Sequence, residues 1–384
     1  MNIEFGLESW LEASAWILVG LHFLYLARYA FSIRHWIQRL PAPQATKEQV
    51  EIDSSAARLI TVVIPCRNEA KTLPFLLKDL AQQTVPLAIL IINDHSTDAT
   101  KDIAEAAGVR CITNKGEGKK AALRHAHLQI QTPWMATMDA DVRIGKNWAW
   151  SMVRCLHQST TIAGLTLQAI LGTVRLNAAP TSNWERFQAL EYGCLMAWIE
   201  GGVSSEKLAM GSGANIMYRT ATYPAESLNE AQASGDDAYA LLAIKKNGGH
   251  IVWNSDPQAY ASTDPVQNWM ALWNQRARWA SKTNDQGDAE TQSVGQLIAA
   301  VELTFALALV ATIAVNGVGF LWVFVAAILK IRFNRPLISQ SADRYKLTVQ
   351  TTDVLLFPWR YACLVWGAWW QLLRRNVQWK GRQL

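Results

Sequence analysis

Three near-continuous apolar segments, all near the ends of the 384-residue chain, constrain its fold more than any other feature. The first runs from Ala13 to Ala27 without a charged side chain and continues past Arg28 to Ile33. That is roughly the 20 residues a helix needs to cross a bilayer. Glu4, Glu8 and Glu12 precede it; Arg34, Arg39 and Lys47 follow. The positive-inside rule puts the N-terminus outside and the following chain in the cytoplasm. A cleaved signal peptide would need a basic start, and this start is acidic. The second segment, Val294–Leu329, is broken only by Glu302 and Asn316-Gly317. As one helix it would be ~54 Å long, well beyond a ~30 Å hydrocarbon core. A hairpin of two short spans turning near Asn316-Gly317 fits better, with Lys330, Arg332 and Arg335 then cytoplasmic. The third segment, Val354–Leu373, holds Pro358 and Arg360 and precedes Arg374, Arg375, Lys380 and Arg382. If it spans after a hairpin, that basic tail lands outside, against the charge rule. Either the second segment spans once, or the third is re-entrant or interfacial.

The composition agrees with this division. Half the residues are hydrophobic and 17% are charged, against about a quarter charged in an ordinary soluble domain. Disorder is excluded. The net charge of +5 is uneven: residues 330–384 carry ten Lys/Arg against two Asp, so the rest nets −3. A basic excess beside apolar segments suits a membrane surface rather than a nucleic acid. The five cysteines are scattered without a C-x-x-C pair, which indicates neither a disulfide framework nor a zinc site. His125 and His127 read as part of an ordinary helix. The expected organisation is an N-terminal anchor (1–40), a cytosolic domain (58–285) and a C-terminal membrane region with a basic tail (294–384). Residues 40–57 read as a linker.

The middle domain alternates strands and helices. Leu59–Ile64 is a continuous apolar run rich in β-branched residues, ended by Pro65, and reads as a buried strand. Thr72–Gln82 has helical spacing. Leu87–Ile92 is a second strand, Asp98–Ala107 a helix, Val109–Ile112 a strand, Lys119–Gln129 a helix and Trp134–Met138 a strand. Buried strands alternating with helices predict an α/β domain with a mostly parallel sheet. Ligands bind such sheets at the carboxyl ends of the strands. No G-x-G-x-x-G follows the first strand. Gly116-Glu117-Gly118-Lys119-Lys120 is not a P-loop, because Thr113 stands where its first Gly belongs and Lys120 where Ser/Thr is needed.

The strand ends carry acids. Pro65-Cys66-Arg67-Asn68-Glu69 follows the first strand, Asn93-Asp94-His95-Ser96-Thr97-Asp98 the second and Asp139-Ala140-Asp141 the fourth. Two carboxylates one residue apart can hold a divalent cation when a diphosphate supplies further oxygens. Gly211-Ser212-Gly213-Ala214-Asn215 is a small-residue turn that lets a ligand approach the backbone. Ser234-Gly235-Asp236-Asp237 opens a helical stretch, Ala238–Lys246, where the acids could also serve as caps. Gln275-Arg276-Ala277-Arg278-Trp279 ends an amphipathic stretch from about Pro265, suited to a membrane face.

In this order, V-V-I-P-x-x-N-E, N-D-x-S-T-D, D-x-D, G-S-G-A-N, G-D-D and Q-R-x-R-W, the chain resembles the membrane-bound family-2 glycosyltransferases. That is the inverting group with a Rossmann-like glycosyltransferase-A fold, including ceramide glucosyltransferase and the cellulose and hyaluronan synthases. The resemblance covers about 61–282. It implies roles residue by residue. Pro65, Asn68, Glu69, Asp94, Lys119 and Asp139 would bind the nucleotide sugar, with Asp94 at the base and Asp139 near ribose and diphosphate. Asp141, with Asp139, would hold a divalent cation (Mg2+ or Mn2+). Asp237 matches the general base. Gly211, Ser212, Gln275, Arg276, Arg278 and Trp279 fall at the diphosphate and acceptor end. Two departures stand out. Asn93 replaces the first Asp of the usual pair, and Ser234-Gly235-Asp236-Asp237 lacks the usual T-E, leaving Asp236 as an alternative base.

The implied reaction moves a sugar from a nucleoside diphosphate, expected to be a UDP-sugar, to a lipid or membrane-associated acceptor. A cation on Asp141 with Arg278 nearby would stabilise the leaving group, and a base would take the acceptor proton. The implied setting is a bacterial inner membrane with the catalytic domain in the cytoplasm. A processive polysaccharide synthase is the alternative, disfavoured by the small number of spans. A non-catalytic membrane protein keeping the fold is the rival from another class.

Overall fold

The computed structural model describes residues 7–41, 59–159, 166–228, 235–285, 289–315, 319–374, 378–379 and 382–383. Most of the 40–57 linker, Ser234, the Asn316-Gly317 turn, and Arg375 and Lys380 of the tail lie outside them. The chain divides into two units: Met1–Arg39, Pro180–Ala197 and Val266–Gln383 form one, and Leu40–Ala179 with Trp198–Pro265 the other.

Helix α1 (Leu7–Gln38) opens the helical unit. The sheet unit begins with β1 (Ile60–Cys66), whose Ile60, Val62, Val63 and Ile64 are fully buried. Burial on both faces is what a continuous β-branched run at the centre of a parallel sheet dictates. Then follow α2 (Leu73–Ala81), β2 (Ala88–Asn93), α3 (Thr100–Ala106), β3 (Arg110–Thr113), α4 (Gly118–His127) and β4 (Trp134–Thr137). All seven elements lie within a residue or two of their expected positions. β1 pairs in parallel with β2 and β4, and β2 with β3. α4 packs on β1 and β2.

The second half of the sheet departs from simple alternation. It adds β5 (Arg143–Ile144), α5 (Trp148–Ser159), β6 (Leu167–Gly172), β7 (Val174–Leu176), α6 (Asn183–Ser204), β8 (Ile216–Arg219), α7 (Asp236–Lys246), β9 (His250–Asn254) and β10 (Ala261–Thr263). The seven-stranded order is β3-β2-β1-β4-β8-β6-β9. β8 runs antiparallel to both neighbours, while β6 and β9 are parallel. A small second sheet has the order β5-β10-β7. The expected α/β architecture with a mostly parallel sheet is the one found.

Polar side chains tie the far half together. Arg154 and Asp256 form an ion pair at 2.6 Å with both side chains buried, and Ser151 donates to the same carboxylate oxygen. Asn215 is fully buried. It accepts from Trp148 Nε1 at 3.0 Å and donates to the carbonyls of Thr173 and Ala259.

The helical unit continues with α8 (Trp269–Asp285), α9 (Ala289–Ala314), α10 (Leu321–Tyr345) and α11 (Thr351–Leu373). α1 packs against α9 and α10, and α11 against α8, α9 and α10. α1, from Glu8 to Gln38, and α9 are each long and apolar enough to cross a membrane. The second apolar segment is thus two helices flanking Asn316-Gly317, but they are not short. α10 runs on through Lys330, Arg332 and Arg335. Lys330 lies mid-helix and buried, 2.6 Å from Glu302 of α9. Burying the two charges together avoids leaving either unpaired among apolar neighbours. Trp366 donates to the Glu302 carbonyl, and Tyr29 to Asn334 at 3.0 Å. Arg186 pairs with Asp353 at 2.7 Å, both buried, and Asp353 closes the capping box of α11 with Gln350.

Candidate active site

The site grows from the carboxyl ends of β1, β2, β3 and β4. At the first two, the chain turns through the left-handed region at Asn68 (φ 55°) and His95 (φ 56°). Asn tolerates that conformation better than most residues. The two turns then lock together. Thr97 N–H donates to Asn68 Oδ1 at 2.8 Å, and Asn68 N–H to Ser96 Oγ at 3.1 Å. Glu69 N–H donates to Thr100 Oγ1 at 2.8 Å, and the Glu69 carboxylate accepts from Thr72. Pro65 is in β1, paired in register with Ile92. Asp98 accepts from Ala70 N–H and Thr100 N–H. Burial by itself would raise its pKa, but the hydrogen bonds from Thr100 and Ala70 outweigh that and hold it below the usual carboxylate range.

Asp94 is buried beside these turns. Gly118 N–H, at the first turn of α4, donates to both its oxygens at 2.9 and 3.1 Å. Gly118 has φ 85°, which a side chain would strain. Asn114 Nδ2 donates at 2.8 Å, and the Arg67 guanidinium stands 3.9 Å away. A helix N-terminus is a favourable seat for a carboxylate. Asn114 and Arg67 were not singled out in the sequence. Asn114 directly follows β3, so the strand-end rule could have found it.

The densest cluster surrounds Lys119. Its Nζ lies 2.6 Å from Asp139 Oδ1 and 3.4 Å from Asp236 Oδ2. Burial alone would lower its pKa, but Asp139, Asp236 and Asp237 outweigh it and hold the ammonium above the ordinary lysine range. Asp237 borders the same cluster. It accepts from Gly213 N–H at 2.9 Å and from Ala238 N–H at 2.8 Å. Gly213 sits inside this cluster, where a Cβ would stand 3.1 Å from Asp236 Oδ2 and 3.2 Å from Lys119 Nζ. Gly211 and Ser212 lead into that turn, and Ser212 O accepts from Asn215 N–H.

Asp139 and Asp141 flank the buried Ala140 after β4; Asp141 is exposed and accepts from Thr263 Oγ1 at 3.4 Å. Among the described residues there is no group of three or more His, Cys, Asp or Glu able to hold a metal. The pair still fits a hard cation, since Mg2+-type ions take one or two carboxylates and complete their shell with phosphates and water.

Gln275, Arg276, Arg278 and Trp279 lie on α8, in the helical unit. Arg276 turns inward. Its guanidinium pairs with buried Glu191 and lies 4.2 Å from the Trp279 ring centroid. Gln275 Oε1 accepts from Arg276 at 2.6 Å.

Residues 61–205 match the family model described as Glycosyl transferase family 2. Over that span the chain is similar to family-2 glycosyltransferases. Over 234 residues it is 26% identical to the probable glycosyltransferase YdaM of Bacillus subtilis, covering 58% of this chain and 54% of that protein. Over 151 residues it is 32% identical to the 4,4'-diaponeurosporenoate glycosyltransferase of Staphylococcus haemolyticus, covering 37% of this chain and 36% of that protein. The chain thus matches about half the length of the first and about a third of the second. The mannosyltransferase PcManGT from Pyrobaculum calidifontis, solved with GDP-Man and Mn2+, superposes with a TM-score of 0.56 at 16% identity. That match covers 94% of this chain and 99% of the other, and it is a likeness of fold. The matched span holds β1 to β7 and Lys119, Asp139 and Asp141, while Asp236 and Asp237 lie beyond it.

Proposed function

We propose that this chain is an inverting glycosyltransferase that moves a sugar from a nucleoside diphosphate to a lipid or membrane-associated acceptor. The observation that carries the reading is the convergence of Lys119, Asp139, Asp236, Asp237 and Gly213 at the carboxyl edge of a parallel sheet. It combines acids, a cation and a close backbone approach at the edge where such sheets bind ligands.

In this reading Pro65, Asn68, Glu69 and Asp94 bound the nucleoside, and Asp139 faces ribose and diphosphate. Asp141 with Asp139 holds a divalent cation, which supplies charge stabilisation to the leaving diphosphate. Lys119 adds a positive charge beside the phosphates. Asp237 takes the proton of the acceptor hydroxyl, and one displacement inverts the anomeric centre. The Gly213 and Ala238 N–H groups orient its carboxylate for that work. Gly211 and Ser212 border the donor. Gln275, Arg278 and Trp279 keep the diphosphate and acceptor role that their motif implies, while Arg276 steadies α8 through Glu191.

Membrane attachment through α1 and α9, with the domain cytoplasmic at a bacterial inner membrane, is supported by their length and apolarity and by the basic residues after α1. The S. haemolyticus relative, named for transfer to 4,4'-diaponeurosporenoate, supports a single acceptor molecule over a growing polymer. A panel of UDP- and GDP-sugars with Mg2+ or Mn2+ and membrane lipids tests the proposal. One donor should give nucleotide release with label in the organic phase as a single-sugar product. Background release across the panel would overturn it, and a long polymer would transfer the reading to a processive synthase.

A further inference from the structure

Lys119 stands where a divalent cation would have to compete. Its ammonium cross-links two separate elements, Asp139 after β4 and Asp236 at the start of α7. The lysine and Asp236 side chains are 16% and 9% exposed, so mobile salt screens the contact little. Gly213 closes another side, 3.2 Å from Nζ even for a single added carbon. A cation binds a carboxylate oxygen at about 2.1 Å, and here the ammonium already holds Asp139 Oδ1 at 2.6 Å. The two positive charges could not share that carboxylate without strong repulsion in a half-buried site.

The lysine is also placed to leave. It is the second residue of α4, next to the N–H groups that favour anions. Its four-carbon stem is flexible and its head is a point charge. An arriving diphosphate would offer that head a partner at least as highly charged as Asp139.

We propose that Lys119 is a displaceable counter-ion. It closes the Asp139–Asp236 cluster against a bare divalent cation and leaves Asp139 when a nucleoside diphosphate arrives, so cation and nucleotide bind together. The proposal rests on the nucleotide-sugar reading of this site, but its first test needs no nucleotide.

Mn2+ binding to the full chain in detergent is titrated by the loss of the free-ion electron paramagnetic resonance signal. Wild-type protein should bind Mn2+ weakly, and Lys119→Met should bind it tighter by about tenfold or more. Adding UDP or GDP should strengthen Mn2+ binding by a larger factor in wild type than in Lys119→Met. A folded Lys119→Met protein with unchanged or weaker Mn2+ binding overturns the proposal. If that variant does not fold, a wild-type structure with Mn2+ and UDP or GDP decides. Nζ on a phosphate oxygen supports the displacement, and Nζ still on Asp139 refutes it. Failure of the underlying reading looks different: neither nucleotide would bind any variant, with or without Mn2+.

Discussion

Asp236 and Asp237 are adjacent in sequence yet serve different partners: Asp236 Oδ2 faces Lys119 Nζ at 3.4 Å, whereas Asp237 Oδ2 accepts from Gly213 N–H at 2.9 Å. Consecutive residues at a helix start point their side chains about 100° apart, so one acid joins the charge cluster and the other meets the glycine turn.

This division predicts different losses. Asp237→Asn should lower turnover by roughly 10²–10⁴-fold, the usual worth of a general base, while nucleotide binding stays near wild type. Asp236→Asn should act mainly on donor affinity, because it removes one of the two acids that hold Lys119. Steady-state kinetics alongside nucleotide titration checks both. Near-normal turnover in Asp237→Asn would remove it from the base role.

Gly213→Ala should fold but work poorly. The new methyl would stand 3.1 to 3.3 Å from Asp236, Lys119 and Asp237, so each must yield by a few tenths of an ångström. Small displacements of reacting groups are expensive in rate, and a loss on the order of tenfold in kcat is expected. Thermal unfolding within a few degrees of wild type would separate this effect from misfolding.

The Lys330–Glu302 pair should show strong coupling. Lys330→Met alone leaves a buried carboxylate without its cation and should destabilise the helical unit by about 3–5 kcal/mol. Combining it with Glu302→Leu should restore most of that loss. A double-mutant cycle of unfolding in detergent measures the coupling, and additive losses would contradict it.

Asp98 should contribute an acid-side dependence of stability. Its folded pKa lies below its unfolded value because Thr100 and Ala70 stabilise the carboxylate. Its contribution is therefore complete above the unfolded pKa and fades as pH falls through the folded one, in the region below about pH 4. Asp98→Asn should flatten the wild-type slope there. An identical slope in both proteins would show that other groups set it.

The first half of the sheet was legible because β1, β2 and β4 are short, mostly apolar runs alternating with stretches of helical spacing. The second half was not. Nothing local in Ile216–Arg219 marks β8 as the strand that reverses direction between β4 and β6. The acids of the candidate site were visible from their positions after strands. Their partners were harder to read: Asn114 serves Asp94 across 20 residues. Asn215 reads as part of a ligand turn, yet its side chain is spent on three buried packing bonds. Arg276 reads as a binding residue, and only the fold brings Glu191 to it.

Helix α6 has a practical consequence for anyone dissecting this protein. Its first part, through Ala197, groups with the terminal helices, while Trp198 onward groups with the sheet. There Phe187, Leu190 and Cys194 form one apolar cluster with Leu272, Ile338, Phe357 and Leu364. Trimming both ends to liberate a soluble catalytic fragment would therefore strip the cover from a greasy stripe in the middle of what remains. Such a fragment should aggregate until that stripe is redesigned with polar side chains or the terminal helices are kept.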